Sequence, residues 1–425
     1  MNKYLFKVLS KLRNPNLWTV YKELKQNENL TKEQLLELQY NKLRDILIFS
    51  YNYSPYWKKI FDKHNIVITE DDPFGVLKKI PLTDKDTLIS NNSEIHTQYK
   101  FNKTFKAKTS GTTGASLSFY RNELWDSYNR ASIFRGYSWH GVNPSEFNFY
   151  FWGLNLSLKK RLIIWVQDLL QNRRRIFSYH KKDFESLLKH NPFLSYIEGY
   201  SSSIYELAKY AVANNKVSTF PNLKLVKGTS ETILPHYKKM IKKAFGLGFA
   251  NEYGSAEAGI IGFSCPHDNM HVNSESVIIE EIDGEAIVTN LNSKSFPILK
   301  YRQGDIVEID FKANCPCGLP HPIIKSVKGR VGELIYGKNS TYPSLLLYNV
   351  FKNINEKYDM SISYQAIQKL KGQLLVKIDQ NPTEFLNKII DAEFKKYTKT
   401  DLIIEITRLK FKVKSSKFRD FVSEL

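Results

Sequence analysis

An α/β fold with a large N-terminal part and a small C-terminal piece is what this sequence predicts, and three observations predict it. Strand-like and helical patterns alternate between about 104 and 310. Short apolar runs in that region end at glycine, as strands do where ligands gather at carboxyl ends. The 425 residues exceed what one hydrophobic core usually serves, so more than one domain is expected. With 42% apolar and 25% charged residues the chain has the balance of a folded protein, not a disordered one.

Residues 1–100 read as helices that belong to the large part. In the first of them Tyr4, Leu5, Val8, Leu9 and Leu12 recur on one face, with Lys3, Lys7, Lys11 and Arg13 among them. Two roles are open to residues 1–13: an ordinary packed amphipathic helix, or docking on an anionic bilayer. They lack the apolar run and cleavage site of a secretory signal, and no stretch has the length of a membrane-spanning helix. A cytoplasmic protein, peripheral to the membrane if at all, is expected. Leu35, Leu36, Leu43, Ile46 and Leu47 form the stripe of a second helix, which ends before Ser54-Pro55 because proline disfavours a helical predecessor. Pro81-Leu82-Thr83-Asp84-Lys85 reads as a turn feeding a capped helix.

Residues 101–329 form the core. Phe149–Gly153 and Leu223–Gly228 read as strands, and Ser201–Val212 and Pro235–Phe245 as helices. Beyond His271 come strand-like Ser276–Glu280 and Ala286–Thr289, joined by a turn at Asp283-Gly284. The boundary falls near Gly329-Arg330, and residues 330–425 make a small α+β piece ending in Ile403-Ile404-Glu405-Ile406 and a basic tail.

Lysine and arginine number 62 against 43 acids, a net charge of +19 that favours anionic partners. Basic residues are densest at Lys159-Lys160-Arg161, Arg173-Arg174-Arg175 and Lys181-Lys182. No groove-reading motif accompanies them, so nucleic acid is not expected, and an anionic small molecule or polymer is. Three cysteines in so long a chain are no disulfide framework.

The sharpest local feature is Lys108-Thr109-Ser110-Gly111-Thr112-Thr113-Gly114. Glycines let the backbone approach a polyphosphate while hydroxyls and amides donate to its oxygens. Downstream follow Asn251-Glu252-Tyr253-Gly254-Ser255-Ala256-Glu257, Tyr301-Arg302-Gln303-Gly304-Asp305 and Gly329-Arg330. Each is weak alone, and their order is specific. Together with Ser54-Pro55-Tyr56-Trp57, Ile80-Pro81-Leu82, Glu198-Gly199-Tyr200-Ser201 and Met270-His271-Val272-Asn273, they make the chain resemble the adenylate-forming superfamily. Within it the likeness is to the phenylacetate–CoA ligase branch and its capsule-biosynthesis, CapK-like relatives.

The resemblance implies a large adenylate-forming domain of β-sheets flanked by helices, and a small mobile C-terminal domain. It further implies that Thr109, Ser110, Gly111, Thr112, Thr113 and Gly114 hold the ATP phosphates. Tyr253, with Gly254 and Ser255 after it, would lie against adenine, and Ser230 and Glu231 at the strand end would line the other side. Glu257 would coordinate Mg²⁺, Asp305 would accept the ribose hydroxyls, Arg330 would sit at the hinge, and Lys417 would be the catalytic lysine. Acyl-pocket residues are expected at Tyr200–Ser203, Trp139-His140 and Tyr253–Gly259. Two departures stand out: the loop continues Ala115-Ser116-Leu117-Ser118 without the family's lysine, and Val331-Gly332 precede Glu333 where acidic residues usually follow Gly-Arg.

The chemistry so implied is activation of a carboxylic acid by ATP, with release of pyrophosphate. The acyl group then passes to an amine or hydroxyl, as in capsular or cell-surface polysaccharide biosynthesis with its anionic glycans, or to the thiol of CoA. A plain aryl- or acyl-CoA ligase is one alternative, and a nucleotide-binding scaffold without turnover is another. Cys265, His271, Cys315 and Cys317 offer three thiolates and an imidazole, a full tetrahedral set for structural Zn²⁺. His267 is the rival fourth ligand, and buried reduced thiols are the reading without a metal.

Overall fold

The computed structural model describes every residue except 1–2, 70, 110–116, 153–157, 177–180, 190, 218–219, 232, 234, 329–333, 359, 361, 363, 379 and 409–420. The first hundred residues form helices α1 (Lys3–Arg13), α2 (Leu17–Asn27), α3 (Lys32–Tyr53), α4 (Pro55–Lys63), α5 (Pro73–Lys79), α6 (Lys85–Ser90) and α7 (Asn92–Ile95). Local chemistry sets their limits. Thr31 and Gln34 close a capping box at the start of α3. Ser54 ends that helix and caps α4, whose first residue is Pro55. Asp84 caps α6 through the Thr87 amide at 2.8 Å. In α1 the packing falls on Phe6, against Trp18 and Phe134, and Tyr4, Leu5, Val8 and Leu12 stay exposed. The apolar stripe that the sequence offers for packing is therefore not the buried face.

A hairpin of β1 (Thr104–Lys108) and β2 (Ser118–Asn122) follows, then helix α8 (Glu123–Trp139) and strand β3 (Phe147–Phe151). Helix α9 (Leu158–Leu170), β4 (Arg173–Ile176), α10 (Lys181–Leu187), β5 (Leu194–Tyr200), α11 (Ser201–Ala213), β6 (Leu225–Thr229), α12 (Pro235–Phe245) and β7 (Phe249–Ser255) continue the alternation. The chain then turns antiparallel through β8 (Gly259–Ser264), β9 (Met270–Val272), β10 (Val277–Ile282), β11 (Glu285–Asn290), β12 (Tyr301–Asp310) and β13 (Ile323–Lys328).

Strands β3 to β13 form one sheet in the order β10-β11-β12-β13-β9-β8-β7-β6-β5-β3-β4. Its β4-to-β7 half is parallel, and from β8 onward every pairing is antiparallel. The order reverses at β3, which has β4 on one side and β5 on the other, the kind of switch point at which α/β sheets bind ligands. Asp283 and Gly284 turn β10 into β11, with φ of 53° and 76°, the mirror-type turn their sequence predicts.

The N-terminal helices share cores with this sheet. Leu43, Ile46, Trp57 and Phe61 cluster with Ile278, Leu291 and Leu299. The Trp57 indole donates to the Pro297 carbonyl at 3.0 Å, and Thr83 bonds both Lys300 and Arg302 through its backbone. Further on, β14 (Leu334–Tyr336) pairs with β15 (Thr341–Pro343). Helices α13 (Leu345–Tyr358) and α14 (Glu384–Thr398) pack on a sheet of β16 (Tyr364–Gln368), β17 (Gln373–Ile378), β18 (Ile403–Arg408) and β19 (Phe421–Ser423). Phe351, Val376, Ile390 and Phe394 lie in a core whose members run from Ile335 to Phe421.

Candidate active site

Of the residues that the sequence singles out, Ser230 and Glu231 follow the parallel strand β6 and Tyr253 lies near the carboxyl end of β7, whereas Thr109 follows the hairpin strand β1 and Asp305 lies on antiparallel β12. Thr109 stands just beyond β1, where its amide donates to the Leu117 carbonyl at 2.9 Å and its hydroxyl accepts from the Leu117 amide at 3.0 Å. These two bonds clamp both ends of the Thr/Ser/Gly segment. Ser110, Gly111, Thr112, Thr113 and Gly114, like Arg330 and Lys417, lie outside the described residues.

Gly228 lets β6 pass close to α11, because a Cβ there would collide with the Ser201 hydroxyl. The same hydroxyl donates to the Glu231 carbonyl at 3.2 Å, pinning the strand end. Between them Ser230 is held at φ +67°, a left-handed conformation that costs a non-glycine residue about 1 kcal/mol or more.

Tyr253 on β7 and Asp305 on β12 come together. The Tyr253 hydroxyl donates to the Asp305 carboxylate at 2.9 Å, although 52 residues separate them in sequence. A bulge makes this contact. Ile287 pairs with Arg302 and Glu285 with Ile306, so β12 carries three residues, Gln303 to Asp305, opposite one on β11. Gly304 at φ +78° takes the kink. Buried Gln303 beside it leaves its amide nitrogen without a protein partner.

Glu257 is buried after a tight turn in which the Ser255 hydroxyl accepts from the Ala258 amide at 3.0 Å. Its carboxylate accepts from the Tyr301 hydroxyl at 3.3 Å. Arg121 on β2 donates to the neighbouring Ala256 carbonyl and feels the charge of Glu257. Burial lowers the pKa of that guanidinium, opposed by Asp126 and Glu257. A buried carboxylate of this kind is a donor type Mg²⁺ accepts.

Beneath these residues lies a buried ionic group that the sequence does not announce. Lys227 of β6 reaches Glu252 at 2.7 Å and Glu198 at 3.0 Å, and its ammonium lies 3.2 Å from the Tyr137 hydroxyl. Tyr137 donates to Glu198, and Thr229 donates to Glu252 at 3.0 Å. Burial opposes the Lys227 charge, but the two carboxylates overcome it and raise its pKa. The only trace in the sequence is one charged residue inside each of three apolar strand runs.

Tyr200 ends β5 and stacks on Trp152, beyond β3, with ring centroids 4.4 Å apart. Trp139 and His140 are elsewhere. His140 lies 2.8 Å from the Ser264 carbonyl, and the Trp139 ring packs edge-on to His271. Ser264 and Asn251 meet toward the amino end of β7, away from Ser255, so Trp139-His140 is not placed beside Ser255.

That other end holds the cysteines. The ligand atoms of Cys265, His271, Cys315 and Cys317 all lie within 4.8 Å of one another. Cys265 and Cys315 sulfurs are 3.7 Å apart, against about 3.8 Å for two thiolates on one tetrahedral zinc. His271 turns Nδ1 to the His321 carbonyl at 3.2 Å, which fixes the proton there and leaves Nε2 beside the Cys317 sulfur. Burial lowers the His271 pKa to about 4, so the ring is neutral, as a ligand must be. Glu275 backs this arrangement by bonding both the His321 ring and Arg135. His267 is exposed and outside the group. The donor set fits zinc, and its four protein ligands would close the shell.

No protein-family model matches the chain. It is 24% identical over 418 residues to Protein CapK of Staphylococcus aureus, a match spanning 87% of this chain and 89% of that protein. Among solved structures it resembles 2-hydroxyisobutyryl-CoA ligase in complex with 2-HIB-AMP and CoA in the thioesterification state. The TM-score is 0.60 at 14% identity, over 94% of this chain and 91% of that one. The same enzyme in its postadenylation state with R3-HIB-AMP gives 0.58 at 13%, over 94% and 92%. The fold is that of the adenylate-forming ligases.

Proposed function

We propose, from this fold and the homology to CapK, that the chain activates a carboxylic acid as its acyl-adenylate and transfers the acyl group to an acceptor. The observation that carries the reading is the Tyr253–Asp305 hydrogen bond, which unites the two residues assigned to adenosine. Asp305, an ionised acceptor, would take the ribose hydroxyls, and the Tyr253 ring would cover adenine. Ser230 and Glu231 would line the opposite wall. Thr109 and the segment after it would surround the phosphates, with Glu257 holding Mg²⁺. The metal would neutralise charge on the phosphate oxygens. Trp152 and Tyr200 would form a wall of the acyl pocket.

The acid's oxygen attacks the α-phosphorus and pyrophosphate leaves, so the transition state gathers negative charge that an oriented cation must meet. Lys417 is assigned that task, and Lys417→Ala should lower adenylation about 10²- to 10³-fold. Residues 330–425 would turn about Gly329-Arg330, bringing a second set of groups for acyl transfer. The acceptor is an amine or hydroxyl of a cell-surface polysaccharide. CoA is the second candidate, because the similar ligase structure contains it.

Carboxylate-dependent exchange of labelled pyrophosphate into ATP tests the reading. Screening aryl, amino and uronic acids should reveal at least one that supports exchange; no exchange with any acid would leave a binding scaffold. Whether hydroxylamine or CoA consumes the adenylate distinguishes the acceptors.

The cysteine group is assigned structural Zn²⁺. Elemental analysis should find one zinc per chain, lost in Cys317→Ser with a melting temperature lower by several degrees. A metal-free wild-type protein of equal stability would refute the assignment.

A further inference from the structure

The basic stretch that reads as an anion site is built differently in three dimensions. Arg173 and Arg175 are committed to Asp168 at 2.5 and 2.9 Å, and both guanidinium groups lie over the Tyr150 ring. Asp168 sits on α9, so these pairs fasten that helix to β4, the edge strand of the large sheet.

Fastened in this way, α9 is turned inside out. Asp168 is buried, whereas Leu162, Ile163, Trp165, Val166, Leu169 and Leu170 are exposed, Leu162 by 65% and Trp165 by 60%. At 100° per residue those six positions cover an arc of about 160°, and Ile164 and Asp168 lie on the opposite side. Monomeric surfaces rarely present so continuous an apolar face.

Charge identifies what covers it. The sequence places Lys159, Lys160 and Arg161 in the first turn of α9, and its last turn holds no basic residue. Packed parallel, a second copy would set these like charges together, and packed antiparallel it would offer them no counter-charge. Its one acid, Asp168, is buried and already paired. Thirteen residues span about 20 Å, too short to cross a bilayer of roughly 30 Å. Apolar residues with tryptophan beside a basic end suit the boundary between acyl chains and anionic headgroups. We propose that α9 docks the protein on an anionic lipid surface, lying in its plane with the exposed face inserted.

Full-length protein should co-sediment with vesicles of phosphatidylcholine mixed with phosphatidylglycerol, and far less with phosphatidylcholine alone. Trp165→Ser with Leu169→Ser should weaken binding at least about ten-fold. Leu5→Ser with Leu12→Ser, on the exposed stripe of α1, should change it less than about three-fold. As a second readout, brominated lipids should quench wild-type fluorescence, and Trp165→Phe, which keeps the apolar surface, should lose that quenching while still binding. Three results would overturn the proposal: no vesicle binding by the wild type, binding untouched by the α9 changes, or a wild-type dimer that those changes split into monomers.

Discussion

Replacing Lys227 with methionine is expected to lower the unfolding free energy by about 3–5 kcal/mol, the usual consequence of removing one member of a buried ion group. Lys227 is 3% exposed and bonds Glu198 and Glu252, both buried. Methionine fills similar volume, so the loss comes from two carboxylates left in a poorly solvated place without a cation. The same change with Glu198→Gln and Glu252→Gln removes both charges and should recover a large share of the loss. Denaturant titration of the three proteins measures it. Equal stability of Lys227→Met and wild type would mean that water already reaches the group. Three parallel strands carry these residues, and Tyr253 follows Glu252 directly, so the group also sets the register beneath the proposed nucleotide site.

The second large effect concerns Asp305. Asp305→Ala should reduce kcat/KM for ATP in pyrophosphate exchange by about 10²- to 10⁴-fold, the loss of two charge-assisted hydrogen bonds at about 1.5–3 kcal/mol each. Tyr253→Phe provides the contrast. It removes the 2.9 Å bond to Asp305 but keeps the ring, so its effect should stay within about ten-fold, whereas Tyr253→Ala should approach that of Asp305→Ala. If Asp305→Ala left ATP kinetics unchanged, the bulge on β12 would be a structural kink only, and the nucleotide would have to lie elsewhere.

Capping and turn chemistry are local, so Thr31, Ser54, Asp84 and Asp283-Gly284 could be placed from neighbouring residues. The four metal-ligand candidates were also legible, because few other side chains in the chain offer sulfur. Trp139-His140 lies toward the other end of β7 from Ser255, which spacing along a helix does not reveal, since it says nothing about which strand end the helix approaches. In α1 and α9, apolar periodicity gives a face but not the direction it points, and Phe6 and Asp168 turned out to be the inward residues.

From the sequence alone came the α/β class, the order of the segments proposed for the nucleotide and the sulfur-rich set of candidate ligands, because each depends on residue type and short-range spacing. Tertiary structure decided the rest: that Tyr253 meets Asp305 through a bulge, that Lys227 lies between two carboxylates, and that α9 presents its apolar side outward. Those outcomes depend on strand register and helix rotation, which are fixed by packing among residues far apart in the chain.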